Sequence, residues 1–284
     1  METAFIPTLG QAASAEAGGL AYWLSVAFWA GVGAVLLGAL GFVGALRGSV
    51  LRRGPLRELE LSAADLVVGF GSVGLVYAGK WPGAPAGLQQ ASSLGLLLGA
   101  GFFVVKAALS EAGVRRAGLV PRRPVRDLWV SAVGLVFGVG LTFATLVLVN
   151  AAATAAGYPS PEVNHELLQE LRESPSAQRV LGIALAAVVV APLLEELVFR
   201  GMLQTWLLQL WGRRRRWLTV VTAAALFAGV HVGLVSWHGL PGLFVLGLVL
   251  GWLYEKTGSL LPAVLVHAGF NAVNIGYVLL VPGP

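Results

Sequence analysis

The feature that most constrains this chain is a series of long apolar runs that show no alternation of apolar and polar residues. A helix needs roughly 20 apolar residues to cross a hydrocarbon core of about 30 Å. Within that core every backbone N–H and C=O group must be hydrogen-bonded inside the protein, which a helix achieves by itself. The runs cover residues 20–46, 62–79, 91–109, 128–150, 179–210, 217–237, 241–254 and 259–281. They predict an all-α fold, a polytopic membrane helix bundle of about eight transmembrane helices.

Composition supports the same fold class. The chain is 57% hydrophobic and 12% charged, whereas soluble domains contain roughly 25% charged residues. Mean hydropathy is +0.79, which excludes a soluble globular protein. The sequence contains no cysteine, so a thiol nucleophile, disulfides and thiolate metal ligands are excluded.

Basic residues give a net charge of +5 and are concentrated in the loops after the first, third and fifth runs. These alternate loops lie on one side of the membrane, and the positive-inside rule makes that side cytoplasmic. The basic residues therefore predict topology anchors and no nucleic-acid partner. Four consecutive arginines at 213–216 are interpreted as such an anchor, in contact with anionic lipid. The Ala-, Gly-, Leu- and Arg-rich composition favours a bacterial gene, so the inner (plasma) membrane is the expected location.

Polar residues divide the chain into two parts. Residues 1–178 contain about four apolar runs with few polar residues at depth, followed by an acidic loop on the outer side. Residues 179–284 hold the remaining runs and nearly all the intramembrane polar groups. Any chemistry is therefore expected in the second part.

The fifth run carries charges at a depth where each one costs several kcal/mol. Glu196 and Arg200 are four residues apart, so they can pair on one helix face. Glu195 points about 100° away from Glu196 and can face a different cavity. Pro192 has no N–H to donate to the carbonyl of Val188, so we expect it to bend the helix.

The sixth and eighth runs add further polar groups at four-residue spacing. Phe227 and His231 are predicted on one face of the sixth helix, and His267 and Asn271 on one face of the eighth. Such groups avoid lipid only by facing one another across the bundle. A carboxylate beside an imidazole can deprotonate water, and a second histidine with an amide can stabilise an oxyanion. Taken singly, each group is also consistent with an internal ion pair or an interhelical hydrogen bond.

Together these residues resemble the motif series of the CAAX protease and bacteriocin-processing family, also called the type II CAAX prenyl endopeptidase or abortive-infection family. The motifs, in chain order, are Glu195-Glu196-x-x-x-Arg200, Phe227-x-x-x-His231 and His267-x-x-x-Asn271. The resemblance covers residues 179–281 and implies an eight-helix intramembrane endopeptidase, so 179–284 is the expected catalytic core.

The resemblance also implies roles for these residues. Glu195 would be the general base, and His231 would hold the same water. His267 and Asn271 would stabilise the oxyanion. Glu196 and Arg200, with Phe227 in support, would organise the site or contact the substrate. The active site would lie nearer the cytoplasmic side.

A metal-free glutamate mechanism is favoured, with no cofactor. The sequence lacks an HExxH motif. Zinc is the alternative, because Glu195, His231 and His267 supply a two-histidine, one-glutamate ligand set.

The expected substrate is a membrane-associated protein or peptide, cleaved near a C-terminal CAAX-type or prenylated end. Two other functions fit intramembrane Glu, His and Arg residues. One is a proton-coupled transporter, although the inverted repeats typical of transporters are not evident. The other is a non-catalytic scaffold or immunity protein, in which the same residues only hold the bundle together.

Overall fold

The fold is seen in a computed structural model that describes residues 16–42, 44, 51, 59–80, 83–88, 94–110, 113–121, 123–158 and 177–280. Throughout these residues the regular structure is helical, which confirms the all-α prediction. Most of the predicted outer acidic loop, residues 159–176, lies outside the described residues.

The helices lie close to the predicted apolar runs, apart from the single-turn helix α4 and a 3-10 helix at Arg213–Arg215. Their bounds are α1 Glu16–Phe42, α2 Ala63–Lys80, α3 Gly95–Leu109, α4 Gly113–Arg116, α5 Pro124–Ala155, α6 at residues 177–211, α7 Arg216–Gly229, α8 Leu240–Thr257 and α9 Leu261–Leu280.

Three helical segments are long and apolar enough to cross a membrane: Tyr22–Gly41, Pro124–Ala155 and Val180–Trp211. The protein is therefore an integral membrane protein, as predicted. The count of eight spans is not confirmed, because the apolar helices in α2 and α3 are shorter. Helix α7 has 14 residues and is only about 21 Å long.

Helix α8 packs against α5 and α7. Helix α9 packs against α5 and α8, while α6 contacts α3, α7 and α9. Small residues allow close approach, as is usual between membrane helices. A Cβ added at Gly247 of α8 would lie 3.0 Å from the Cα of Ala224 in α7. This packing brings α6, α7, α8 and α9 around one core that contains Phe199 and Phe227.

The end of α7 differs from the prediction. The sixth run was expected to stay helical to residue 237, with His231 on the helix, but α7 ends at Gly229. His231 lies in the turns that follow, where its N–H donates to the carbonyl of Ala228 at 3.0 Å. Gly233 has a φ of +84°, which L-residues with side chains rarely adopt, so apolarity alone overestimated the helix. Pro241 then stands in the first turn of α8, a favourable position for proline.

Candidate active site

Two π-helical stretches, Leu185–Val190 and Leu197–Gln204, flank the segment Ala191–Glu196 of α6. In a π-helix the N–H donates five residues back instead of four, and such stretches are frequent at functional sites. The N–H of Ala191 accordingly donates to the carbonyl of Ala186. The acidic residues of the first motif therefore sit on an irregular helix.

This geometry changes the expected effect of Pro192. The sequence predicted that Pro192 would deprive Val188 of a donor, four residues back. With the five-residue offset, Pro192 instead stands where the donor to the Ala187 carbonyl would be. Asn271 of α9 supplies that donor, since its Nδ2 lies 2.7 Å from the Ala187 oxygen. One N–H of the Asn271 amide thus joins α9 to α6, and its second N–H can serve another acceptor.

Replacing Asn271 by Ala should lower the free energy of unfolding by about 1–2 kcal/mol, because the Ala187 carbonyl would lose its donor. Adding Pro192→Ala should recover part of that loss, because residue 192 would regain a backbone N–H. Thermal unfolding of the single and double variants in nanodiscs measures this coupling.

Asn274→Ala, one turn further along α9, is the matched control and should show no coupling to Pro192→Ala. Strictly additive losses for Asn271→Ala and Pro192→Ala would contradict the capping role.

A buried cluster forms around Glu196. Its Oε1 lies 2.8 Å from Nη1 of Arg200, and both side chains are fully buried, so the predicted ion pair is present. The same oxygen lies 2.9 Å from Nδ1 of His267 in α9. A carboxylate accepts, so Nδ1 of His267 carries a hydrogen and Nε2 points elsewhere. Glu196 thus orients His267 as well as pairing with Arg200.

Glu195 lies on the opposite side of the His267 imidazole. Its Oε2 is 3.9 Å from His267 Nε2, too far for a direct hydrogen bond. The Glu195 side chain is 16% exposed, yet Oε2 itself is buried and has no hydrogen-bond partner among the described residues. Adjacent glutamates therefore have different surroundings. Glu196 is fully buried, with Oε1 engaged by Arg200 and His267 and Oε2 without a hydrogen-bond partner among the described residues. Glu195 is partly exposed, and its Oε2 faces His267 Nε2.

Phe227 connects α7 to this cluster. Its ring centroid lies 4.6 Å from Cζ of Arg200, a cation–π contact. It also lies 5.7 Å from the ring of His267, edge to face, and 4.9 Å from the ring of His231. Phe227 thus contacts Arg200, His267 and His231, and its supporting role stays a prediction.

His231 reaches the site through Phe227. Its Nδ1 lies 2.7 Å from the Phe227 carbonyl oxygen, so Nδ1 donates and Nε2 is left as the acceptor of the neutral ring. Within the described ranges no hydrogen bond or ion pair joins His231 to Glu195. Glu196, Arg200 and His267 are in direct contact, and Glu195 lies at the edge of this cluster. His231 contacts the cluster only through Phe227 among the contacts described above.

Residues 177–273 match the family model described as type II CAAX prenyl endopeptidase Rce1-like. This match confirms the predicted resemblance to the CAAX protease family over that segment. The matched segment contains all three motifs. No curated protein and no solved structure matches the chain. An Rce1-like segment on apolar helices supports a CAAX-type intramembrane endopeptidase in general terms.

The zinc alternative requires Glu195, His231 and His267 of the Rce1-like segment to converge on one point. Both His231 and His267 have Nδ1 engaged and Nε2 available, as is usual for metal-binding imidazoles. However, among the described residues no group of three or more His, Asp or Glu side chains is arranged to hold a metal ion. As placed here, Glu195, His231 and His267 do not form a metal-binding group.

A second buried polar cluster in the Rce1-like segment was missed from the sequence. Arg216 was interpreted as part of a lipid-facing anchor, but it is 1% exposed and its Nη1 lies 2.9 Å from Oε2 of Glu255. Glu255 is fully buried and also accepts from Gln204 Nε2 at 3.0 Å. The three arginines before Arg216 remain exposed. The one feature of the sequence that could have indicated this cluster is the four-residue spacing of Glu196, Arg200 and Gln204, which places all three on one face of the helix.

Proposed function

We propose that the protein is an intramembrane endopeptidase that hydrolyses a peptide bond with water activated by Glu195 and His231. The observation that carries this proposal is the Oε2 atom of Glu195. It is buried, has no hydrogen-bond partner in the described part of the chain, and faces His267 Nε2 at 3.9 Å. A carboxylate with a spare acceptor beside an imidazole is suited to bind and deprotonate a water molecule.

In the proposed reaction Glu195 takes a proton from water while the water oxygen forms a bond to the peptide carbonyl carbon. His231 accepts a hydrogen bond from the same water through Nε2, because its Nδ1 is engaged by Phe227. The C–N bond then breaks, and Glu195 returns the proton to the departing nitrogen.

The oxyanion formed during the reaction needs hydrogen-bond donors. Asn271 offers the N–H that Ala187 does not use. His267 donates through Nε2 when the ring is doubly protonated, since Nδ1 is committed to Glu196. Arg200 and Glu196 hold the His267 ring in this orientation.

The substrate is proposed to be a membrane-associated protein or peptide cut near a C-terminal CAAX-type or prenylated end. A site nearer the cytoplasmic side is supported by α9. His267 is six residues after Leu261, the start of α9, hence about 9 Å along the helix. By the threading of the loops this end lies on the same side as the exposed arginines 213–215. Residues 179–284 form the catalytic core in this proposal, within a bacterial inner membrane.

The purified protein in lipid nanodiscs tests the proposal. It is incubated with a peptide library that includes prenylated CAAX peptides, with and without a chelator, and the products are read by mass spectrometry. Cleavage is expected, and chelator-resistant cleavage supports the metal-free reaction. Proton flux in proteoliposomes without any cleavage would favour the transporter; neither activity in the folded protein would favour a scaffold.

A further inference from the structure

Helices α6 and α8 are joined by a buried series of polar contacts that begins at the proposed active site. On α6 the residues are Glu196, Arg200 and Gln204, and on α8 they are Gly247, Gly251 and Glu255, each set at four-residue spacing. Arg200 Nη2 donates to the Gly247 carbonyl at 3.3 Å. Gln204 Nε2 lies 3.0 Å from both the Gly251 carbonyl and Oε1 of Glu255.

Glycine allows these side chains to reach the backbone of a neighbouring helix. A Cβ at Gly251 would lie 2.9 Å from Oε1 of Gln204 and 3.2 Å from Cγ1 of Val220. At Gly247 it would meet Ala224 at 3.0 Å. Gly251 thus permits the contact of Gln204 with the α8 backbone, whereas Gly247 permits the close approach of α8 to α7.

The series ends in a buried ion pair at the other end of α8. Glu255 accepts from Gln204 through Oε1 and from Arg216 through Oε2, and all three side chains are buried. Buried ion pairs often contribute little net stability, because both charges lose their hydration. Such pairs are better known for selecting one arrangement of the helices than for adding stability. Here that arrangement is the packing against α8 of the π-helical stretch that carries Arg200.

We propose that Gln204 and Glu255 are positioning residues for the active site, a role that rests on the proposed function. Glu255 holds Gln204, and Gln204 fixes the rotation of Leu197–Gln204 against α8. That rotation keeps Arg200 on Glu196, and Glu196 orients His267 between the two glutamates. Neither Gln204 nor Glu255 touches the reacting atoms in this scheme.

The first test replaces Gln204 by Met, which has a similar length and no donor. We expect kcat per folded molecule to fall roughly tenfold with KM unchanged, because small misplacements of reactive groups slow chemistry more than binding. Glu255→Gln strands the buried Arg216 charge and should lower stability, but it keeps an acceptor for Gln204, so kcat per folded molecule should change by less than about threefold. Lys256→Gln, at the exposed neighbour of Glu255, is the matched control and should behave as wild type.

The second readout is independent of proteolysis. The imidazole ¹⁵N resonances of the protein in nanodiscs report the His267–Glu196 contact, with the His267 signals assigned by their loss in His267→Gln. They should shift in Gln204→Met and stay in place in Lys256→Gln. Gln204→Leu replaces Gln204→Met if the latter does not fold.

Unchanged His267 resonances in the Gln204 variant would overturn the inference, and so would a kcat within twofold of wild type. If the wild type cleaves no peptide, the proposed function fails. The resonances then still decide whether the α6–α8 contacts orient His267.

Discussion

Replacing Glu195 by Gln is expected to abolish peptide cleavage while leaving the fold intact. Gln has nearly the same shape but cannot take a proton from water, and general-base catalysis typically contributes 10²- to 10⁴-fold. We expect cleavage to fall by about 10³-fold. The fold should tolerate the change because Glu195 Oε2 has no hydrogen-bond partner among the described residues, so no protein contact of that atom is lost. Single-turnover cleavage and thermal unfolding, both in nanodiscs, measure the two effects.

The same substitution one residue later is the matched comparison. Glu196→Gln removes the charge that neutralises Arg200, so it should lower stability, which Glu195→Gln should not do. Cleavage by Glu195→Gln within tenfold of wild type would show that another group is the base. A scaffold protein would keep its biological role with Gln at position 195.

Replacing Arg200 by Met is expected to have the largest effect on stability. Removing one partner of a buried ion pair leaves the other charge uncompensated, which typically costs 3–5 kcal/mol. That is a large part of the 5–15 kcal/mol that stabilises a typical protein. Glu196 is fully buried and its remaining contact is with His267, so little can replace the guanidinium. The melting temperature and the yield of monodisperse protein report the loss.

Arg213→Met is the matched control, because Arg213 is exposed. It should change stability by no more than about 0.5 kcal/mol. Adding Glu196→Leu to Arg200→Met should recover part of the loss, since the stranded buried charge is then removed. Equal stability of the Arg200 and Arg213 variants would contradict a structural role for the buried pair.

These two predictions assign different tasks to neighbouring residues. Glu195 and Glu196 differ by about 100° around the helix. Glu196 is fully buried and contacts Arg200 and His267 through Oε1, whereas Glu195 is partly exposed at the edge of the cluster. Comparing the single variants Glu195→Gln and Glu196→Gln therefore separates loss of catalysis from loss of stability within a single motif.

The sequence by itself determined the features that depend on local spacing and solvent. Apolar runs without alternation of apolar and polar residues form helices in lipid, because a helix hydrogen-bonds its own backbone, and the helices were predicted on that ground. Four-residue spacing placed Glu196 and Arg200 on one face, and the ion pair is present. The three motifs indicated the resemblance that the Rce1-like match over residues 177–273 then confirmed.

Only the tertiary structure decided which groups meet across helices. Asn271 donates to the Ala187 carbonyl because, in the π-helical geometry, the carbonyl that Pro192 leaves without a backbone donor is that of Ala187 and not that of Val188. The types of side chain in the sequence do not reveal this shift by one residue. His267 lies between the two glutamates, with Nδ1 on Glu196 and Nε2 facing Glu195, because α9 packs against α6 beside these residues. In the sequence Arg216 cannot be distinguished from its three exposed neighbours. In the structure it is buried because it pairs with Glu255, 39 residues further along the chain. Local spacing sets the direction of a side chain on its own helix, whereas its partner depends on how distant helices pack.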